Sequence, residues 1–336
     1  MTRQVALAVL LTTAPLAAMA ECPPAPEPIV TLSFESRYEA TDESRSDIDP
    51  EAEAEAEAAV APIDDFLRDL VRDANAVVRD DDDADADCVL ARIAEWADAG
   101  ALTDLQSPTA RLTIGARIAG FALVMRQILP AVTDADAVQR INDWLTDLMT
   151  AQTAFWEDEA PPGARNGNLR AWAALAGAAV SDLTDDPILR DWAAASVTHV
   201  LCTVSPDGSI PQEMTRGHLA LGYQLHAIAP LVLAAVLLDE QESPVHESCD
   251  GALGRSVLFT AMDIHSGAAT EAITGEVQSF FDGSDKIEDF HLAWIEAYLR
   301  LPDMPGQSDL DRLAEERRPL SYSKLGGNQT LLWNPD

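Results

Sequence analysis

The sequence predicts an all-α domain built of stacked helices. From Cys88 onward, apolar residues such as Leu90, Ile93 and Trp96 recur at spacings of three and four, the period of one helix face. Clusters of Pro, Gly, Asp and Ser separate these segments, and alternating strand patterns are almost absent. With 336 residues, 47% of them hydrophobic, the chain can bury a large core, which excludes wholesale disorder.

Before Cys88 the helical signal is weaker. The Pro-rich start and the polar residues up to 49 predict extended structure. Residues 50–62 contain Glu-Ala repeats and residues 80–87 are an acidic run, and we expect both to be solvated surface or loop. The acidic run lacks the spacing, glycine and final glutamate of a calcium-binding EF-hand loop. We therefore predict one domain over residues 21–336, with an extended or weakly helical lead-in at 21–62.

After Cys88 the periodic segments predict a series of helices. Within the helix predicted at 214–238, the twenty residues 219–238 are apolar enough to raise the question of a membrane span. They include Tyr223, Gln224, His226 and Pro230, which a lone span would carry at a cost, so we expect a buried helix whose polar members face a cleft or an internal partner. The predicted helices cover residues 89–97, 112–128, 137–155, 169–181, 187–202, 214–238, 251–262 and 286–301.

The first twenty residues are typical of a secretory signal. Arg3 supplies the positive start, an Ala/Leu-rich apolar run follows, and residues 18–20 form the small-x-small cleavage pattern Ala-Met-Ala. Cleavage near Ala20 predicts a periplasmic or secreted protein without an integral membrane segment.

The cysteine count fits an oxidising compartment. Four cysteines suggest two disulfides, and three connectivities are possible. We expect Cys22–Cys88 and Cys202–Cys249, although the even count alone does not fix the pairing. No C-x-x-C motif or other metal-ligand spacing occurs, so neither a metal nor a cofactor is predicted.

The charge excludes one class of function. There are 22 Lys+Arg against 57 Asp+Glu, a net charge of −35, and only two of the basic residues are lysines. Because a nucleic-acid binder needs a basic surface, nucleic acid is not expected as a partner.

Two segments carry candidate chemistry. In the first, at 166–172, amides, Arg170 and Trp172 at a helix entrance suit an anionic ligand or a sugar face. The plainer alternative is a capping asparagine and a core tryptophan. In the second, Arg216 and Tyr223 are seven residues apart, which on one helix places them two turns apart on the same face. A guanidinium and a phenol there would bind a carboxylate and move a proton, or they are simply a surface ion-pair partner and a half-buried aromatic.

Taken together, these segments resemble the poly(β-D-mannuronate) lyases, the alginate lyases of polysaccharide lyase family 5. The most specific part is the Gly-x-x-Pro-x-Glu-x-x-Arg pattern from Gly208 to Arg216, with Tyr223 seven residues on. The resemblance covers nearly all of the chain after the predicted signal. It implies an (α/α) toroid, an incomplete α/α barrel of stacked helical hairpins, with the substrate in a groove between helices. Further matching segments are Cys22 with its two prolines, 32–38, 44–46, Cys88, 96–102, 293–298 and 318–327.

The resemblance also implies residue roles. Such lyases cleave uronate polymers by β-elimination, which needs a group that neutralises the C5 carboxylate, a base and an acid. Asn168 matches the carboxylate-binding amide and Trp172 the sugar-stacking indole of the family motif Asn-Asn-His-x-x-Trp. Arg216 matches the arginine near the carboxylate, and Tyr223 the tyrosine that acts as acid and is a candidate base. The remaining predicted groove residues are Arg37, where many members carry lysine, Tyr38, Arg170 and His226.

The chain departs from the family motif at its histidine, which is replaced by Leu169. In a first interpretation Tyr223 performs both proton transfers while Asn168 and Arg216 hold the carboxylate. In a second, another histidine substitutes, His226 being nearer than His218 to the helical face of Tyr223. In a third, the chain binds uronate polymers but cleaves them slowly or not at all.

Two functions from different classes follow. The leading prediction is a polysaccharide lyase acting on an acidic, alginate-like polymer, and the alternative is a non-catalytic or weakly active polyuronate-binding periplasmic protein. In either case we expect a monomer whose partner is an acidic polysaccharide. The acidic residues concentrate in surface segments while the groove gathers Arg37, Arg170 and Arg216, so we expect activity to rise with moderate ionic strength before falling.

Overall fold

The computed structural model describes residues 22–80 and 83–334, so the predicted signal segment lies outside the described residues. Two small strand pairs occur in these ranges. Strand β1 (Thr31–Leu32) pairs in parallel with β2 (Asp104–Leu105), and β3 (Ser321–Tyr322) pairs antiparallel with β4 (Gly327–Asn328). The rest of the regular structure in the described part of the chain is helical, which confirms the predicted all-α class.

The α-helices are mostly those that the apolar periodicity predicts. Shorter turns connect them: 3₁₀ turns at Gly163–Asn166, Gly217–Leu219, Asp289–Leu292 and Ser323–Leu325, and a π-helical turn at Phe155–Glu159. The α-helices in the described residues are α1 (Pro50–Asp80), α2 (Asp83–Asp98), α3 (Pro108–Thr113), α4 (Gly115–Ile128), α5 (Ala135–Ala154), α6 (Asn168–Thr184), α7 (Pro187–Leu201), α8 (Pro211–Met214), α9 (Ala220–Glu240), α10 (Ser248–Asp263), α11 (Ala268–Thr274), α12 (Ser279–Asp282), α13 (Trp294–Tyr298), α14 (Gln307–Glu315) and α15 (Gln329–Trp333).

Helix α6 lies at the centre of the stack and packs against α4, α7 and α9. Its sequence is rich in alanine and it is buried on nearly every side, which lets the neighbouring helices approach closely. Two of the helices begin where an aspartate side chain caps the first turn. The side chain of Asp134 caps α5, and Asp186 caps α7, where Pro187 takes the first helical position.

Residues 50–62, which the sequence predicts as solvated surface or loop, lie at the surface but are helical rather than a loop. These residues form the first turns of the 31-residue helix α1, and the glutamates Glu51, Glu55 and Glu57 are exposed. Glu and Ala are strong helix formers, and acidic side chains stabilise a helix start. The buried face that begins at Ile63 anchors the remainder of α1 in the core. The acidic run is likewise helical from Asp83 onward, as the start of α2.

Both predicted disulfides are confirmed. Cys22–Cys88 ties the start of the described chain to α2, and Cys202–Cys249 joins the end of α7 to α10. The indole Nε1 of Trp96 also donates to the carbonyl of Pro26 at 2.9 Å. The residues before α1 are therefore extended but fixed to the helical body.

Helix α9, with the 3₁₀ turn before it, is the one stretch of the described residues long and apolar enough to cross a membrane, and most of it is buried inside the protein. The sequence predicts that the polar residues of α9 face a cleft or an internal partner, and Gln224 has internal partners. The amide of Gln224 is satisfied internally, accepting from the backbone N–H of Ile210 at 2.9 Å and donating to Ser256 at 2.9 Å. Tyr223 and His226 are half-buried, and their side chains contact Arg37 and Trp172 respectively.

Candidate active site

The extended segment before α1 lies against the start of α9. One terminal nitrogen of Arg37 donates to the phenol oxygen of Tyr223 at 2.9 Å, and the same guanidinium donates to the Tyr38 hydroxyl at 3.1 and 3.2 Å. Its other terminal nitrogen lies 3.4 Å from Glu53, so one glutamate of the Glu-Ala repeat reaches the site. A bridge between Tyr38 and Ile48 folds the segment back on itself. Arg37, Tyr38 and Tyr223 are thus brought together.

Arg216 completes this group from the other side of the phenol. Its guanidinium carbon lies 4.5 Å from the ring centre of Tyr223 and 5.7 Å from that of Tyr38. The contact does not arise as the sequence predicted, because α9 begins only at Ala220. Arg216 and Tyr223 are therefore not on one continuous helix, and Gly217, at φ +52°, turns the chain between them.

The charge of Arg216 is poorly satisfied. The side chain is 7% exposed, one terminal nitrogen donates to the carbonyl of Arg45 at 3.3 Å, and the buried Nε has no hydrogen-bond partner. In the described residues no carboxylate lies within ion-pair distance of it. A buried guanidinium in this state is suited to bind an anion that enters the groove.

Asn168 is held by a buried carboxylate. The backbone N–H and the side-chain Nδ2 of Asn168 donate to the two oxygens of Glu213 at 2.6 and 2.9 Å. Glu213 is fully buried, and burial raises its pKa despite these hydrogen bonds and the nearby charge of Arg216. A Cβ on Gly167 would lie 2.1 Å from Glu213 Oε1, so glycine at this position is a steric requirement of the arrangement.

Trp172 and His226 form a second pair beside Tyr223. The indole Nε1 of Trp172 donates to His226 Nε2 at 3.0 Å, and the His226 and Tyr223 rings meet edge to face with centres 6.4 Å apart. Burial, and next the charge of Lys324, lower the pKa of His226 to about 3. The imidazole is thus neutral, and since an indole only donates, its proton resides on Nδ1. His226 therefore keeps one N–H donor, at Nδ1, and no free basic nitrogen.

The predicted groove residue Arg170 does not join this group. Its guanidinium pairs with Glu157 at 2.7 Å, donates to Ser196 at 3.0 Å and lies over the rings of Trp156 and Trp192. The physical reason is helical geometry, because Arg170 is two positions from both Asn168 and Trp172 and so points to the opposite side of α6. Arg170 is a structural residue in this arrangement.

Leu169 also faces away from the groove group. It packs against an apolar cluster that includes Phe155, Trp156 and Ala173. The residue that the sequence resemblance places at the motif histidine is thus used for packing.

Sequence reasoning assigned no role to three residues that the structure places at or beside the site. Glu213 stands inside the most specific pattern, which was the signal that could have revealed it. Tyr322 and Lys324 belong to a C-terminal segment that matched the family. The Tyr322 ring meets that of Trp172 edge to face at 6.0 Å, and it also contacts Phe290 at 5.2 Å.

The arrangement therefore combines a phenol in contact with two guanidinium groups, a held amide and the buried Trp172–His226 pair. Positive charge beside the phenol oxygen stabilises the phenolate, and the same charge attracts a carboxylate. No cluster of ligands able to hold a metal ion occurs in the described part of the chain.

Comparisons with known proteins agree with the geometry. The sequence model of a family described as "Alginate lyase" matches residues 112–266. A "Polysaccharide lyase" of Stenotrophomonas maltophilia (strain K279a) is 30% identical over 324 residues, which cover 94% of this chain and 91% of that protein. An "Alginate lyase" of Azotobacter vinelandii is 27% identical and covers 94% of this chain and 84% of its own length.

Solved structures confirm the toroid. A variant of alginate lyase A1-III complexed with a tetrasaccharide superposes with a TM-score of 0.80 at 21% identity, covering 95% of this chain and 88% of that one. Alginate lyase A1-III from Sphingomonas species A1 gives 0.74 at 20% identity, covering 91% of this chain and 86% of that one. The described helices are therefore arranged as the predicted (α/α) toroid.

Proposed function

The chain belongs to the alginate lyase family of polysaccharide lyases, and from that premise we propose that it cleaves an acidic uronate polymer, alginate or polymannuronate in kind, by β-elimination. The observation that carries this proposal is the position of the Tyr223 phenol oxygen, bound by Arg37 at 2.9 Å, with Arg216 over the ring at 4.5 Å. A lyase needs a base and an acid near a site for a carboxylate, and this arrangement supplies all three.

The proposed reaction starts with the carboxylate on C5. Arg216 and Asn168 bind and neutralise it, which acidifies the C5 proton and stabilises the enolate-like intermediate. Tyr223, as phenolate, removes the C5 proton. The released electron pair forms the C4–C5 double bond while the C4–O bond breaks, and Tyr223 returns the proton to the departing oxygen.

One residue can perform both transfers only if the C5 proton and the C4 oxygen are on the same face of the sugar. They are on the same face in D-mannuronate and on opposite faces in its C5 epimer, L-guluronate. The use of Tyr223 for both steps therefore supports a preference for mannuronate.

The replacement of the motif histidine by Leu169 leaves three interpretations, and the contacts of His226 help to choose between them. His226 does not fit a substitute base, because its Nε2 accepts from Trp172 and its Nδ1 carries the proton. The N–H at Nδ1 of His226 is free to donate a hydrogen bond to the carboxylate or to a hydroxyl of the substrate. This favours the interpretation in which Tyr223 is both base and acid. Tyr38 lies beside it for contact with the sugar, whereas Trp172 is 3% exposed within the core and acts through its hydrogen bond to His226.

A second candidate function is a polyuronate-binding protein with little or no activity. The observation that favours it is the loss of the motif histidine at Leu169, together with the engagement of the Asn168 amide by Glu213. In this alternative the basic groove still binds the polymer.

The lyase assay separates the two. Incubation with polymannuronate should release 4,5-unsaturated uronates, followed by ultraviolet absorbance, and a panel of alginate, polyglucuronate and hyaluronan tests the substrate class. Calorimetric binding of a mannuronate oligosaccharide without any product would establish the binding protein and refute the lyase.

The proposed setting is the periplasm or the exterior of the cell. The two disulfides are compatible with an oxidising compartment, and the secretory signal remains a prediction from residues 1–20. A monomer without a membrane segment, a cofactor or a metal likewise remains the prediction from the sequence.

A further inference from the structure

Lys324 lies in the C-terminal segment that contacts Trp172 and has no role in the mechanism above. It sits in the 3₁₀ turn Ser323–Leu325, which packs against α1, α4 and α9. Tyr322, two residues earlier, contacts the ring of Trp172, and Trp172 in turn binds His226. The turn thus lies beside the Trp172–His226 pair, and the charge of Lys324 acts on the His226 imidazole.

The charge environment of Lys324 is unusual for this protein. It is one of two lysines in a chain with 57 acidic residues, it is half-buried, and no carboxylate of the described residues forms an ion pair with it. The exposed Lys286 needs no partner, because water solvates it. A half-buried cation without an anion costs stability, so its retention points to a ligand.

The groups around Lys324 are mostly positive. Helix α1 contributes Asp64 and Arg68, α4 contributes Arg117, the extended segment contributes Arg37, and α9 contributes His226. Arg117 pairs with Oδ2 of Asp64 at 2.8 Å, while the buried Oδ1 of Asp64 has no hydrogen-bond partner and forms no ion pair with Lys324. Burial, and next Arg117, lower the pKa of Lys324 to about 8, against the opposing effect of Asp64.

We propose that Lys324 binds a carboxylate of the uronate polymer in a subsite next to the Trp172–His226 pair, adjoining the sugar on which Tyr223 acts. This proposal rests on the proposed function, since it assumes a polyuronate in the groove. A polymer with one carboxylate per sugar presents a second anion one residue away from the reacting one. The ammonium group of Lys324 donates up to three hydrogen bonds to such a carboxylate and recovers the solvation that burial removed.

The affinity of Lys324 for the carboxylate should depend on pH. The charged form of Lys324 binds the carboxylate, and that form is present below its pKa of about 8 and lost as pH rises through it. Arginine side chains in general keep their charge over this range, and His226 stays neutral. The contribution of Lys324 to affinity should therefore disappear in the alkaline range while that of the arginines remains.

The test measures the affinity for saturated mannuronate oligosaccharides by calorimetry, in a Tyr223→Phe background that prevents turnover. Lys324→Met keeps the length of the side chain and removes its charge, and Lys286→Met is the matched control at the other lysine. At pH 7 we expect Lys324→Met to raise Kd about tenfold or more, which is the usual effect of losing one charge-assisted hydrogen bond. Lys286→Met should leave Kd unchanged, and Lys324→Arg should restore most of the affinity.

Two further readouts exclude a merely structural role. Above about pH 9.5 the Kd values of the Lys324→Met variant and its parent should converge. The melting temperature of Lys324→Met should be unchanged or higher, because an uncompensated cation has been removed. A clear fall in melting temperature would instead assign Lys324 to the Asp64–Arg117 pair and overturn the proposal.

Other outcomes are equally decisive. Equal Kd values for Lys324→Met and its parent at pH 7, or equal losses for both lysine variants, would overturn the subsite. Wild-type protein that binds the oligosaccharide without producing unsaturated uronates would refute the lyase but leave the Lys324 test intact. Wild-type protein that binds no polyuronate would overturn both.

Discussion

Two buried arginines lie in two different regions of this protein, and their guanidinium groups have very different partners. Arg170, between α6, α7 and the π-helical turn, has a carboxylate at 2.7 Å, a hydroxyl at 3.0 Å and two tryptophan rings. Arg216, in the groove, has one backbone carbonyl at 3.3 Å, two tyrosine rings and an unpartnered Nε. Each is 7% exposed, so burial alone does not distinguish them. The two arginines differ in how far their charge is satisfied by partners. The satisfied Arg170 supports the fold, whereas the poorly satisfied Arg216 is available to a ligand.

The largest effect is expected from removing the hydroxyl of Tyr223, whose ring lies beneath the Arg216 guanidinium in the candidate site. Tyr223→Phe should lower kcat on polymannuronate by about 10²–10⁴-fold, because it removes the group proposed as base and acid. Tyr298→Phe is the matched control, since the Tyr298 hydroxyl is buried and donates to the carbonyl of Pro305 outside the groove. The control should cost about 1 kcal/mol of stability and leave kcat unchanged. Equal activity of Tyr223→Phe and wild type would refute the assigned role.

The second prediction exchanges the two arginines for methionine. Arg216→Met should lower kcat/KM by about 10²-fold, because it removes charge that stabilises the developing enolate. Its stability should fall little, since few hydrogen bonds are lost. Arg170→Met should show the reverse, with unfolding free energy lower by about 1–3 kcal/mol and kcat nearly unchanged. Denaturant unfolding and initial rates measure the two quantities, and similar profiles for both variants would remove the distinction.

A smaller effect is expected at the glycine that lets Glu213 hold Asn168. Gly167 has ordinary extended dihedrals, so Gly167→Ala tests space alone: its Cβ would displace Glu213. We expect about 1–3 kcal/mol lower stability and about tenfold lower kcat/KM. Gly222→Ala on α9 is the control, because its Cβ meets Phe280 at an ordinary 3.6 Å, and it should be neutral or slightly stabilising. A fully active Gly167→Ala enzyme would show that Asn168 does not need Glu213.

The smallest predicted effect is the dependence of the initial rate on ionic strength, which reflects both the acidic exterior and the arginines of the candidate site. Initial rates should rise about two- to fivefold from very low salt to moderate ionic strength and then decline. Screening first weakens repulsion between the polyanion and a chain of net charge −35, and then weakens the attraction to Arg37 and Arg216. A decline from the lowest salt onward would mean that groove attraction dominates at all distances.

The difference between the two arginines also shows what the sequence can predict. The helices after Cys88 followed from apolar periodicity, because burial of one face repeats every three to four residues. The spacing from Asn168 to Trp172 places both on one face of α6, and that same spacing excludes Arg170 from it. The error at Arg170 was therefore avoidable, since helical geometry alone separates positions two apart.

Other features of the site could not be obtained from spacing. The bond from Asn168 to Glu213 joins residues 45 positions apart, and that from Arg37 to Tyr223 joins residues 186 apart. Such pairs depend on how the toroid closes. The helical Glu-Ala repeat was missed because the periodic apolar face begins only at Ile63, so the preceding turns extend a helix that is anchored further along the chain.

The Cys22–Cys88 disulfide has a consequence for when the groove is complete. Arg37 comes from a segment with no helix of its own, attached to the body by this bond, by the short β1–β2 pairing and by the start of α1. Without the bond, the free chain end before Arg37 gains conformational freedom that must be given up again to place the guanidinium on Tyr223. We therefore expect protein folded under reducing conditions to keep its helical core but hold Arg37 less firmly. Oxidation would then act as a maturation step, which completes the groove where the polymer is met.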